Sequence, residues 1–129
     1  MPEYAPGTPS WVELSSPNTD ASAAFYGALL GWSATEPGPV EETGGYRMFQ
    51  QGDLRIAGLM GHMQAGQPTA WSTYISVADA DATAAKVEAA GGSVVVPPMD
   101  VMDIGRMAFF ADPTGAVFGI WQPRTFAGA

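Results

Sequence analysis

At 129 residues, 47% of them apolar and 14% charged, the chain is long enough to bury a core and too apolar to stay disordered. Five basic residues against 13 acidic ones give a net charge of −8, which repels phosphate backbones and anionic lipid surfaces and predicts neither nucleic acid nor a membrane as partner. There is no cysteine, so disulfides, zinc–thiolate centres and cysteine nucleophiles are excluded.

The leading MPEYAPGTPS has neither the basic nor the apolar region of a signal peptide, and a cytoplasmic protein is expected. A strand is predicted from about Trp11 to Ser15, ending at the cap-rich Ser16-Pro17-Asn18-Thr19-Asp20. A helix follows over Asp20 to Leu30, with Ala24, Phe25, Ala28 and Leu29 as its apolar stripe and Gly31 as its cap. This most apolar stretch, Ala21 to Trp32, is too short to span a bilayer. Trp32 to Thr35 reads as a short strand, Glu36 to Gly45 as a loop, and Tyr46–Gln50 with Leu54–Met60 as a hairpin around Gln51-Gly52-Asp53. After a polar linker, His62 to Thr69, the pattern restarts. A strand (Ala70–Val77) leads through Asp79-Ala80-Asp81 into a helix to about Ala90, closed by Gly91-Gly92. Then come a strand (Ser93–Val96), a loop (Pro97–Asp103), and two strands (Arg106–Ala111, Ala116–Trp121) joined by Asp112-Pro113-Thr114-Gly115.

The order is β-α-β-β-β, twice. Gly31 and Gly91 lie 60 residues apart, and Gly58 and Gly119 lie 61 apart, as two copies of one unit require. Strand alternation then sorts side chains by face. Val12, Leu14, Thr73, Ile75, Val77, Phe118 and Ile120 form an aliphatic and aromatic set suited to packing under helices. Trp11, Glu13, Ser72, Tyr74, Gly119 and Trp121 form a set of large rings and polar groups suited to a pocket wall. Met107 and Phe109 join the second set, as do Tyr46, Met48, Gly58 and Met60 from the first copy.

Ala24-Phe25-Tyr26-Gly27-Ala28-Leu29-Leu30-Gly31-Trp32, Val77-Ala78-Asp79-Ala80-Asp81, Gly91-Gly92 and Asp112-Pro113-Thr114-Gly115 occur in an order and spacing that resemble the vicinal oxygen chelate superfamily. This is the glyoxalase/bleomycin-resistance/dioxygenase group, and the likeness covers about residues 9 to 122. It implies one α+β domain of two βαβββ repeats, about 9–61 and 69–122, with curved mixed sheets, helices outside and a ligand cleft inside. Family enzymes hold a divalent metal with His, Gln or Glu from strands one, four, five and eight. Carried onto this chain, those positions fall on Trp11, near Gly58 or Met60, on Ser72 and on Gly119. None is a ligand for a hard or borderline divalent ion, so the expectation is no metal, no cofactor and no catalytic residue.

The resemblance therefore points to the metal-free, antibiotic-binding members, of which bleomycin-resistance proteins are the best known. The expected role is a homodimer that binds and sequesters a hydrophobic polycyclic natural product. Its expected ligand-binding residues are Trp11, Glu13, Tyr46, Met48, Met60, Ser72, Tyr74, Met107, Phe109 and Trp121. Bland readings stand beside this one. The tryptophans can be core, and Met48, Met60, Met63, Met99, Met102 and Met107 can be gap-filling. Glu13 can pair with Arg47 or Arg106, and Arg106 with Asp103 or Asp112. His62 reads as an exposed loop histidine, and no Ser–His–Asp set can be assembled around it. The competing class is a lyase, isomerase or dioxygenase of the glyoxalase type, metal-dependent or using Glu13 as a base.

Overall fold

A computed structural model describes residues 4–62, 66 and 68–128; Met63 lies outside the described residues. The elements run β1 (Pro9–Ser16), α1 (Thr19–Leu30), β2 (Ser33–Ala34), α2 (Val40–Thr43), β3 (Arg47–Gln51), β4 (Leu54–Gly61), β5 (Ala70–Ser76), α3 (Ala80–Val87), β6 (Ser93–Val101), β7 (Gly105–Ala111) and β8 (Val117–Pro123). They gather into two units. Among the described residues, Trp11–Trp71 makes the first, and Ser72–Gly128 with residues 4–10 makes the second.

In the first unit the strand order is β2-β3-β4-β1, with β4 parallel to β1 and the other pairs antiparallel. Helix α1 begins because the Asn18 side chain accepts the Ala21 N–H at 3.0 Å, and it ends where Gly31 turns left-handed at φ 75°. It covers a core of Leu14, Phe49, Ala57 and Leu59 through Ala23 and Tyr26. Arg47 is buried on this side. Its Nε donates to the Thr35 carbonyl at 2.8 Å, and Nη1 donates to the Thr19 hydroxyl at 3.1 Å and to Asp20 at 3.0 Å.

The predicted core stripe of α1 is on the wrong side. Ala24, Phe25, Ala28 and Leu29 are exposed, with Phe25 at 57% and Leu29 at 62%. Helical periodicity shows that a stripe exists, but α1 has two, and the one built from Ser22, Ala23 and Tyr26 meets the sheet.

The second unit repeats the plan, with order β5-β8-β7-β6, β8 parallel to β5 and the other pairs antiparallel. Asp79 caps α3 by accepting the Ala82 N–H at 3.0 Å. The helix packs on Ala108, Phe110 and Ile120, with Ile75, Val77 and Phe118 around them. Residues 7 and 8 pair with β5, since Gly7 N–H donates to the Ser76 carbonyl and Ser76 N–H to that of Thr8, at 2.7 and 2.8 Å. The fold is thus α+β, with β-α-β-β-β twice. Val12 and Thr73, expected under the helices, are exposed at their positions on β1 and β5.

Three further differences have physical reasons. Strand β6 runs through Pro97 and Pro98, which the sequence places in a loop. It is the edge strand of its sheet and its register slips between Val94 and Met99, where missing donors cost little. The loop after β2 contains the single turn α2. Arg106 pairs with Asp81 at 2.9 Å and Asp100 at 3.1 Å, tying the start of α3 to β6 and β7. Among the described residues, no helix is long and apolar enough to cross a membrane.

Candidate functional site

In each unit, alternation leaves one sheet face without a helix, and the sequence-derived candidates collect there. In the first unit the register aligns Met48, Gly58 and Glu13 across three strands, with Ser15 and Met60 in the next row. Tyr46 enters just before β3 and reaches over Gly58. A Cβ on Gly58 would collide with the Tyr46 hydroxyl and come within 3.0 Å of Glu13 Oε2. Trp11 Nε1 donates to the Tyr46 hydroxyl at 3.1 Å, and that hydroxyl donates to Glu13. Indole, phenol and carboxylate therefore form one directed chain. Burial pushes the Tyr46 phenol well above its ordinary range, the negative charge of Glu13 adds to this, and the Trp11 hydrogen bond opposes it.

In the second unit the equivalent row is Tyr74, Gly119 and Phe109. The Tyr74 ring lies over Gly119, so a Cβ there would sit 2.5 Å from Tyr74 Cδ1, and the Tyr74 and Phe109 centroids are 5.3 Å apart. The next row is Ser76, Trp121, Met107 and Met99. The Trp121 indole covers Gly105, and its N–H donates to the Phe126 carbonyl at 2.7 Å.

Of the ten candidates, Trp11, Tyr74 and Trp121 are buried, at 8%, 5% and 8% exposure. Glu13, Tyr46, Met48, Met60, Ser72, Met107 and Phe109 are half-buried and keep surface of their own. The rings expected to stack on a guest are thus the most buried of the ten, and the exposed surface belongs to thioether, phenyl, phenol, hydroxyl and carboxylate groups. Phe126 and Gly105, which hold Trp121, escaped sequence reasoning. A glycine opening a strand was the available signal for the second. Also missed was a ring cluster on the α1 side of the first unit, where Trp71 Nε1 donates to the Tyr26 hydroxyl at 3.0 Å beside Trp32 and Phe49. His62 is half-buried, 3.3 Å from the Thr69 hydroxyl.

The metal implied by the resemblance does not fit these residues. Its positions hold an indole (Trp11), a hydroxyl (Ser72), a glycine whose side-chain space is filled by a tyrosine ring (Gly119), and either another filled glycine (Gly58) or a thioether (Met60). A divalent ion of this class needs imidazole, carboxylate or thiolate donors. Among the described residues no group of three or more His, Cys, Asp or Glu converges.

Comparison with known proteins agrees with this fold. The profile of the Glyoxalase/Bleomycin resistance protein/Dioxygenase superfamily matches residues 8–120. The chain is 41% identical to the anthracycline biosynthesis proteins DauV of Streptomyces sp. (strain C5) and DnrV of Streptomyces peucetius, covering 100% of this chain and 52% of each relative. It is also 41% identical to the putative glyoxylase CFP32 of Mycobacterium bovis (strain ATCC BAA-935 / AF2122/97), covering 98% of this chain and 50% of that one. It therefore spans about half the length of the curated relatives it matches. Among solved structures, a methylmalonyl-CoA epimerase variant from Streptomyces coelicolor with 2-nitronate-propionyl-CoA superposes with a TM-score of 0.67 at 18% identity, over 97% of this chain and 100% of that one.

Proposed function

Because this chain belongs to the glyoxalase/bleomycin resistance protein/dioxygenase superfamily, we propose that it uses the fold as a binding scaffold and holds a planar, polycyclic natural product of the anthracycline kind. The observation that carries this reading is the tyrosine over each central glycine, Tyr46 over Gly58 and Tyr74 over Gly119, which fills with a ring the space where the family's enzymes carry metal donors. The names of the Streptomyces relatives support the choice of guest.

In the first unit, Tyr46, Met48 and Met60 offer apolar contact to a ring system, and thioethers adapt to an irregular outline. Glu13 fixes orientation. Its carboxylate accepts the Tyr46 hydrogen bond and has further lone pairs for a ligand hydroxyl or ammonium group. In the second unit, Phe109 and Met107 offer the apolar contact, each aromatic pair contributing about 0.5–1.5 kcal/mol beyond its buried area. Non-covalent retention of this sort keeps a cytotoxic or reactive compound from other targets.

The test is a tryptophan fluorescence titration with an amine-bearing anthracycline and with a neutral anthraquinone. Saturable quenching by both is expected. Glu13→Gln should weaken the amine-bearing ligand about tenfold, the worth of one hydrogen bond to a charged group, and leave the neutral one unchanged. Absence of saturable quenching by either compound sinks the reading. The Tyr46–Glu13 pair favours one second reading, proton abstraction from a bound substrate by Glu13. A product formed from the bound compound by the wild-type protein and not by Glu13→Gln would replace the first reading with the second.

A further inference from the structure

The two units place different groups at equivalent positions. Gly58 pairs with Glu13 and Met48, and Gly119 pairs with Tyr74 and Phe109. Two residues earlier in the chain stand Trp11 and Tyr46 in the first unit, and Ser72 and Met107 in the second. An indole, a phenol and a carboxylate therefore come together in one copy only. The other copy has a hydroxyl, a thioether and a second ring in their places.

Proton counting shows what the trio does. An indole nitrogen donates and cannot accept. Trp11 Nε1 gives its proton to the Tyr46 oxygen at 3.1 Å. A phenol has one proton, and Tyr46 gives it to Glu13. An acceptor beside Tyr46, such as a glutamine carbonyl, would let the phenol turn that proton away from the carboxylate. Trp11 offers no such acceptor, so the direction of the chain is fixed.

We propose that Trp11 is a positioning residue that sets the ligand preference of the first unit, acting through Tyr46 on Glu13. The face then selects a guest that brings its own donor, an ammonium or hydroxyl group, over one that brings a carboxylate. This rests on the reading of the protein as a holder of polycyclic guests. The indole proton and the phenol proton are both used within the trio, and what the trio turns towards a guest is an acceptor with negative charge. The indole bond also polarises the phenol, which strengthens its donation to Glu13. A carboxylate already held by a fixed donor loses less freedom when a guest arrives.

The test titrates the full chain with an amine-bearing anthracycline and with a carboxylate-bearing anthraquinone. Binding is followed by the ligands' own visible absorption, so removing an indole does not remove the signal. The wild-type chain should prefer the amine. Trp11→Phe keeps a ring and loses the N–H, and it should cut that preference about three- to tenfold. Tyr46→Phe should cut it similarly. Neither variant alters the net charge of −8, so the overall field cannot account for the change. In the double variant Trp11→Phe should add nothing to Tyr46→Phe, because the indole acts only through the phenol, whereas a packing role would add its own loss. The Trp11 indole N–H resonance in the NMR spectrum should also move on Glu13→Gln, two hydrogen bonds away, and this holds whether or not Trp11→Phe folds. The inference is overturned by equal affinity for the two compounds, by an unchanged preference in Trp11→Phe, by additive losses in the double variant, or by an indole resonance blind to Glu13→Gln. If neither compound binds the wild-type chain, it is the guest-holding reading that fails, and the indole resonance alone decides the relay.

Discussion

A glycine inside a strand weakens it and marks a place where another group comes close. Gly58, Gly105 and Gly119 each lie under a ring or hydroxyl from Tyr46, Trp121 and Tyr74 respectively. Gly119→Ala should destabilise the protein by about 1–3 kcal/mol through overpacking against Tyr74, measured by urea denaturation. Combined with Tyr74→Leu, it should cost less than the sum of the two single changes, because the smaller side chain vacates the contested space. Tyr46 makes a separate prediction. Its phenol is held above the ordinary value in the fold, so between about pH 10 and its folded value the native state binds more protons than the unfolded chain. That contribution is fully present below pH of about 10 and is lost as pH rises through the folded value. Denaturation midpoints should therefore fall more steeply with alkaline pH in wild type than in Tyr46→Phe. At this scale the sequence was half legible. Alternation alone put Trp11, Glu13, Tyr74 and Trp121 on the face away from the helices. It could not say that three of those rings would be buried, because burial depends on what crosses over them.

The two longer helices begin with a side-chain cap, Asn18 on α1 and Asp79 on α3, and each accepts one backbone N–H at 3.0 Å. Asn18→Ala should cost about 1 kcal/mol, read as a lower midpoint in thermal or urea unfolding with an unchanged slope. Caps were legible because their chemistry is local. The orientation of α1 was not, since TDASAAFYGALL offers scarcely any polar face to set against an apolar one. Choosing between its stripes takes tertiary information, namely that Tyr26 stacks on Trp32 with centroids 5.7 Å apart and meets Phe49. Strand β6 shows the opposite kind of failure. Pro97 and Pro98 are strong local signals for a loop, and an edge position overrides them.

The repeat of about 60 residues predicts two similar units, and β-α-β-β-β occurs twice. Residues 4–10 belong with Ser72–Gly128, where Gly7 and Thr8 pair with Ser76. At the other end of that unit, Arg124 and Phe126 both donate to the Ile104 carbonyl, and the Phe126 carbonyl holds the Trp121 indole. Phe126→Ala should cost about 3–5 kcal/mol, and the loosened indole should show as a red-shifted tryptophan emission in the native baseline. Nothing in residues 122–128 announces this strap, whose backbone bonds run to the Ile104 carbonyl some twenty residues earlier. The tyrosine over each central glycine has a consequence of another order, for what the fold can become. A drift towards metal binding cannot begin by giving either glycine a carboxylate, since the space is occupied. The tyrosine must shrink first, and that step forfeits packing before any donor repays it. The same obstacle stands in both units, so in each the ring must give way before a donor can take the glycine's place.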